Sequence, residues 1–204
     1  MPSPATLAAA APTRPALTMP PAEAEALRAA YAGAGTILEY GSGGSTVLAA
    51  EMPGKAIHSV ESDADWVAMM RAWFAENPPA SQPVLHHADI GPTRDWGHPA
   101  DDSGFRRWPG YALSVWDRPD FQHPDVVLVD GRFRVACLLV TAFRITRPVT
   151  ALFDDYAGRR FYHGVEDFLR PSALIGRMAR FDLVPQPVPA DRLGWIISYF
   201  TRTA

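Results

Sequence analysis

Four carboxylates in this sequence sit where short runs of β character end. Glu39 lies in Thr36-Ile37-Leu38-Glu39-Tyr40, and Glu61 follows Ala56-Ile57-His58-Ser59-Val60. Asp89 comes just after residues 83–87, and Asp130 follows Asp125-Val126-Val127-Leu128-Val129. The carboxyl ends of strands are where an open α/β sheet forms its ligand crevice. Gly41-Ser42-Gly43-Gly44 follows the first run, and glycines there bring backbone amides close to a ligand with no Cβ in the way. Glu61 stands 22 residues after Glu39, where a doubly wound nucleotide site places its ribose-binding carboxylate. The dinucleotide fingerprint Gly-x-Gly-x-x-Gly would have its third glycine at Thr46, a departure that argues against a nicotinamide cofactor. Taken singly, Glu39 also reads as a cap on the glycine turn, and Asp89 as the start of the turn before Gly91 and Pro92.

A second group of polar residues follows the fourth and fifth β-like runs: Asp130 and Arg132, then Asp154-Asp155 and Arg159. Three readings stay open. Asp130 can act as a base or orienter, with Arg132 or Arg159 steering an anionic substrate through paired hydrogen bonds. A magnesium-type ion could instead gather the carboxylates and lower a hydroxyl pKa. The bland reading is an Asp130–Arg132 salt bridge holding the turn, with Asp154 capping the next element. Three carboxylates beside two arginines can neutralise one another without an ion, so the metal-free site is expected. The histidines suggest no metal centre: His86 and His87 are adjacent on a strand and face opposite sides, and His163 with Glu166 reads as an exposed helical pair. Neither a phosphate-binding Gly-x-x-x-x-Gly-Lys-[Ser/Thr] loop nor a Gly-x-Ser-x-Gly elbow occurs.

The elements that must position these residues alternate strand and helix, as in a doubly wound parallel sheet. A helix is expected from about Thr18 to Tyr31, with Pro20 and Pro21 in its first turn, where a missing amide donor costs little. A second runs from about Ser45 to Glu51. A third, capped by Ser62, carries Trp66, Met69, Met70, Trp73 and Phe74 on one apolar face that packs on the sheet. Residues 133–145 and 160–170 read as helices and 149–153 as the fifth strand. Residues 181–184 and 195–200 read as a terminal strand pair turned by residues 185–192, which makes seven strands with only the last antiparallel. Residues 91–124 are rich in Pro and aromatics and show no sustained period. Such a long connection suits a lid or wall near the site, and Trp96, Trp108, Tyr111 and Trp116 would line it.

At 204 residues the chain suits one domain, residues 18–204, preceded by a flexible arm over residues 1–17. The net charge of −3 gives no reason to expect nucleic acid as a partner, and the Arg106-Arg107 and Arg159-Arg160 pairs read as solvated surface. A single cysteine, Cys137, lies in an apolar run and excludes an intrachain disulfide. No run is long enough for a membrane span and no basic-then-apolar leader opens the chain, so a cytoplasmic protein is expected.

Glu39-Tyr40-Gly41-Ser42-Gly43 resembles motif I of the class I S-adenosylmethionine-dependent methyltransferases. Glu61 matches that family's ribose acid, Ala88-Asp89-Ile90 its adenine segment, and Val127-Leu128-Val129-Asp130-Gly131 its fourth-strand motif. The stretch 129–136 is also similar to small bacterial methyltransferase-like proteins of unassigned substrate. The resemblance implies a Rossmann-like, seven-stranded, mostly parallel sheet. It also implies S-adenosylmethionine contacts from Glu39, Tyr40, Gly41, Ser42, Gly43, Ser45, Glu61, Ser62, Asp89, Ile90 and Asp130. Asp130, Arg132 and Asp154 would carry the chemistry, and Trp96, Trp108, Tyr111, Trp116 and Arg159 would meet a small-molecule acceptor. The alternatives are a catalytically inactive cofactor-binding or regulatory module of the same fold and, disfavoured by Thr46, a nicotinamide-dependent oxidoreductase.

Overall fold

The structure is a computed structural model and describes residues 13–203. In chain order it contains α1 (Pro21–Gly33), β1 (Thr36–Tyr40), α2 (Gly44–Ala50), β2 (Ala56–Glu61), α3 (Ala64–Glu76) and β3 (Val84–His87). The short strands β4 (Thr93–Arg94) and β5 (His98–Pro99) follow, then α4 (Pro109–Leu113), β6 (Val126–Val129), α5 (Arg134–Arg144) and β7 (Val149–Phe153). The chain ends with β8 (Ala173–Ile175), β9 (Met178–Leu183) and α6 (Leu193–Tyr199).

The seven-stranded sheet has the order β3-β2-β1-β6-β7-β9-β8. Only β9 opposes the other strands, because it pairs antiparallel with both β7 and β8. Order reverses between β1 and β6, so the crevice of an open α/β sheet falls at their carboxyl ends. Successive residues of β6 alternate between two cores. Val127 and Val129 join the cluster with α4 and α5, whereas Val126 and Leu128 join the cluster with α1, α2 and α3. Burial on both faces is why this strand reads as an unbroken apolar run.

Several expectations need correction. Residues 195–200 are not a strand. Ile196 and Tyr199 are buried while Leu193 and Ile197 are exposed, which is helical spacing, and α6 packs on α5. The strand beside β9 comes instead from the other side, by a tight turn at Gly176 (φ +56°), so residues 185–192 merely connect β9 to α6. Residues 160–167 form a 3₁₀ segment, not an α-helix. The cap of α3 is Asp63, whose side chain accepts from Asp65 N and Trp66 N, in place of Ser62. The 91–124 excursion is also not structureless: it holds the β4–β5 hairpin, 3₁₀ turns and α4. Of the expected arm, residues 1–12 lie outside the described residues. Beyond them Arg14 pairs with Glu51 at 2.7 Å, and the Ala16–Leu17 backbone crosses Gly44 so closely that a Cβ there would overlap it.

Candidate functional site

The turn after β1 is built around a buried acid. Glu39 is fully buried, accepting from Tyr31 Oη at 2.7 Å and Thr46 Oγ1 at 2.6 Å. Burial pushes its carboxyl pKa up, and these hydroxyl bonds pull it back. Thr46 Oγ1 also accepts from Gly43 N at 3.0 Å, so one hydroxyl serves the acid and the turn together. The residue that breaks the dinucleotide glycine pattern is thus the partner this carboxylate needs. Tyr40 is turned into the core, donating to Ala112 O at 2.8 Å and accepting from Trp116 Nε1 at 2.7 Å. Neither Glu39 nor the Tyr40 ring therefore faces the crevice, contrary to a direct cofactor contact from their side chains. Gly41 has φ +105°, and a Cβ on it would meet Gly131 N at 2.9 Å. Glycine alone allows that approach of the two strand ends. Around Gly43 the space is open.

Glu61, at the end of β2, is held in place by backbone amides. Its Oε1 accepts from Ser62 N at 2.6 Å and Asp63 N at 3.0 Å, and its Oε2 from Ser42 N at 3.2 Å. Burial raises its pKa while these bonds lower it. Oε2 accepts only that one bond, from the glycine turn, and so keeps a lone pair for a further donor. The β4–β5 hairpin lies directly above: Ser62 Oγ donates to Gly97 O at 2.9 Å. Asp89 is exposed, accepts from Gly91 N at 2.9 Å and pairs with Arg107. The Gly91 bond is the main cause of its lowered pKa. Ile90, Ser45 and Ser62 are buried beneath this surface.

Beyond β6 and β7 lies a cluster of three acids and three arginines. Arg134 is buried. It donates to Gly131 O at 3.0 Å and Asp154 O at 2.6 Å, and approaches Asp130 at 3.2 Å and Asp155 at 3.6 Å. Arg177 clamps both oxygens of Asp154, at 3.1 and 2.7 Å, and touches Asp155 at 3.1 Å. Arg159 reaches Asp155 at 2.6 Å. Asp154 is only 1% exposed with both oxygens taken, so it positions Arg177 and is not available to an acceptor. It caps no helix. Asp130 differs: it is 32% exposed, and its partner is Arg134 rather than the expected Arg132. Partial burial pushes its pKa up to about 7, against the pull of Arg134, and the negative charges of Asp154 and Asp155 add to the rise. Asp155 holds φ +59° and Phe133 φ +49°, left-handed values that non-glycine residues keep only when their surroundings impose them.

Within the excursion, the β4–β5 hairpin lies over the carboxyl end of β2, while α4 packs on α5. Of the excursion's aromatics, Trp108, Tyr111 and Trp116 are buried, which corrects their expected place on a substrate surface. Tyr111 Oη accepts from Arg132 N at 3.2 Å. Of the four expected to line the site, only Trp96, at the hairpin tip, is open to solvent, at 82%, and Phe105 is exposed as well. Arg132 packs on the His98 imidazole, Nη1 to Nδ1 3.2 Å. Five site residues carry no motif in the sequence: Tyr31, Thr46, His98, Arg177 and Trp66. The last donates from Nε1 to Ser42 O at 2.8 Å and props the glycine turn from outside. Among the described residues, no group of three or more His, Cys, Asp or Glu is arranged to hold a metal, and no helix is long and apolar enough to cross a membrane.

No family model matches the chain, and no curated protein does. Solved structures do. A methyltransferase-like protein from Silicibacter pomeroyi DSS-3 is 60% identical, with a TM-score of 0.89 over 92% of this chain and 98% of that one. An O-methyltransferase of tomaymycin synthesis from Streptomyces achromogenes, solved in complex with S-adenosylmethionine, is 17% identical. It superposes with a TM-score of 0.53 over 84% of this chain and 82% of that one, a likeness of fold.

Proposed function

This chain belongs to the S-adenosylmethionine-dependent methyltransferase superfamily, and from that premise we propose that it methylates a small-molecule acceptor with Asp130 as general base. The observation that carries the proposal is the half-buried Asp130 carboxyl beside the glycine turn, its pKa pushed up to about 7. A base works best with a pKa near the working pH, where it is largely free yet still basic.

The residues present fit the methyl donor. Glu61 offers Oε2 to ribose hydroxyls, and the space open around Gly43 suits close approach to the backbone. Asp89 and Ile90 border the region where an adenine would lie. When bound, S-adenosylmethionine supplies an electrophilic methyl group on a sulfonium. Asp130 would take the proton that the acceptor's O, N or S loses as its lone pair bonds to the methyl carbon, the carbon–sulfur bond breaking with its electron pair left on the sulfur of S-adenosylhomocysteine. Arg134 keeps the carboxylate aimed, while Asp154 and Asp155 hold its basicity up. Arginines already engage Asp154 and Asp155, which supports the metal-free reading over one that gathers these acids around an ion.

Two measurements test this. Calorimetric titration with S-adenosylhomocysteine should show saturable binding, and tight NADH binding instead would favour the oxidoreductase. Label from methyl-labelled S-adenosylmethionine should then move to a component of a small-molecule extract. Binding of S-adenosylhomocysteine without any transfer would favour the inactive module.

A further inference from the structure

We propose that Arg132, together with His98 and Arg94, forms an oxyanion subsite, so that the acceptor carries a carboxylate or a phosphate. The naming of the bound molecule as acceptor rests on the methyl-transfer reading; the subsite itself does not.

The charge balance at this end of the sheet points to it. Asp130, Asp154 and Asp155 are matched by Arg134, Arg159 and Arg177. Arg132 is left over: among the described residues it makes no ion pair, and its Nε is buried with no hydrogen-bond partner. Burial pushes its pKa down, because a guanidinium withdrawn from water without an anion is costly. Its backbone is fixed from below by Tyr111 Oη and by Cys137 Sγ, which donates to Arg132 O at 3.4 Å.

The hairpin supplies the other wall. Arg94 pairs with His98 across the β4–β5 ladder, so both side chains stand on one face. His98 meets Arg132, and its pKa is lowered by burial first and then by Arg132, Arg94, Arg159 and Arg134. Of these arginines, Arg134 and Arg159 are already paired with Asp130 and Asp155, which leaves Arg132 and Arg94 beside the imidazole. Arg94 also makes no ion pair among the described residues. Two uncompensated guanidiniums beside a half-exposed imidazole suit an oxyanion that accepts two or more charge-assisted hydrogen bonds. Asp130 sits two residues from Arg132, which would place the anion's nucleophilic neighbour within reach of the base.

Calorimetry with inorganic phosphate and with benzoate, with and without S-adenosylhomocysteine, tests the subsite and separates the two anion types. Wild type should bind at least one anion. Arg132→Met should weaken it about tenfold or more, Arg132→Lys less, and the exposed Arg94→Ala a few-fold. Anion binding that depends on Arg132 in a protein that ignores S-adenosylhomocysteine would uphold the subsite and sink the methyl-transfer reading. The proposal is overturned if neither anion saturates wild type by tens of millimolar, or if Arg132→Met binds as wild type. It is equally overturned if Arg132→Met weakens S-adenosylhomocysteine instead, since the arginine would then serve the cofactor's own carboxylate.

Discussion

Replacing Asp130 with Asn removes a carboxyl whose ionisation the fold resists. Its pKa of about 7 lies about three units above a free aspartate, and three units correspond to about 4 kcal/mol. Water reaches 32% of the side chain and the substitution also loosens Arg134, so about 1–2 kcal/mol is expected to be seen. The folded protein holds this proton more tightly than the unfolded chain does. The carboxyl's contribution to stability is therefore complete below about pH 4 and is lost as pH rises through about 7. Asn cannot ionise. The stability of Asp130→Asn relative to wild type should thus rise by about 1–2 kcal/mol between about pH 4 and pH 8. For a chain of this length that is a change of about 2–8 °C in the melting-temperature difference. Thermal denaturation of both proteins across that range measures it. The same ionisation governs turnover: a base with a pKa of about 7 loses its proton across this range, so single-turnover methyl transfer should rise several-fold between about pH 6 and pH 8. A melting-temperature difference that stays flat with pH would refute the raised pKa, and the general-base assignment with it.

Three further outcomes are expected. Glu61→Ala should weaken S-adenosylhomocysteine binding by about 1–3 kcal/mol in calorimetry, and equal affinities would show that this acid does not meet the ribose. Thr46→Val leaves one oxygen of the buried Glu39 without its donor and should cost about 1–3 kcal/mol in denaturant unfolding, with Thr46→Ser restoring most of it; no loss would mean that the hydroxyl is dispensable. Gly97→Ala adds a methyl at φ +68° against Ser62 Oγ and 3.0 Å from Glu61 Oε1. The hairpin at residues 93–99 should then exchange its amide hydrogens faster than in wild type while β1, β2 and β6 keep their protection, and unchanged exchange would count against its close seating.

Much of the fold is legible from local pattern because the first five sheet strands and the helices that follow β1, β2 and β6 obey it. The β6 run reflects helices packed on both faces of the sheet, and the spacing along α3 reflects the sheet beneath it. The C-terminal third is different. Trp195-Ile196-Ile197-Ser198-Tyr199-Phe200 has the β-branched and aromatic content of a strand, yet the edge it would need is occupied by β8. Tertiary pairing decided that case, and its only local trace is Gly176 between Ile175 and Arg177. In α3 the pattern errs by one residue in its meaning: Trp66 continues the apolar face in sequence, but its indole N–H bonds the glycine turn and keeps the ring at the rim. Val67 is buried in its place.

The candidate site divides along the same physical line. Glu39, Glu61, Asp89 and Asp130 can be read because each is set by its own strand end, and one residue type at one position carries the information. What each carboxylate does there depends on partners outside its own strand. Glu39 is sealed by Tyr31 and Thr46, Asp154 by Arg177, and Asp89 faces Arg107 in the open. Those partners turn four similar acids into a buried strut, a fixed hydrogen-bond acceptor, a surface ion pair and a titratable base. The left-handed residues follow the same geography: Trp96 in the hairpin over Glu61, Phe133 next to the Asp130 turn, and Asp155 after β7. Every non-glycine residue with positive φ among those described thus borders the crevice. Strain of that kind persists only where surrounding contacts over-determine the backbone. Here Arg134, which pulls on the Asp130 carboxyl, also donates to Gly131 O and Asp154 O, so one group that tunes Asp130 braces the turns that hold Phe133 and Asp155.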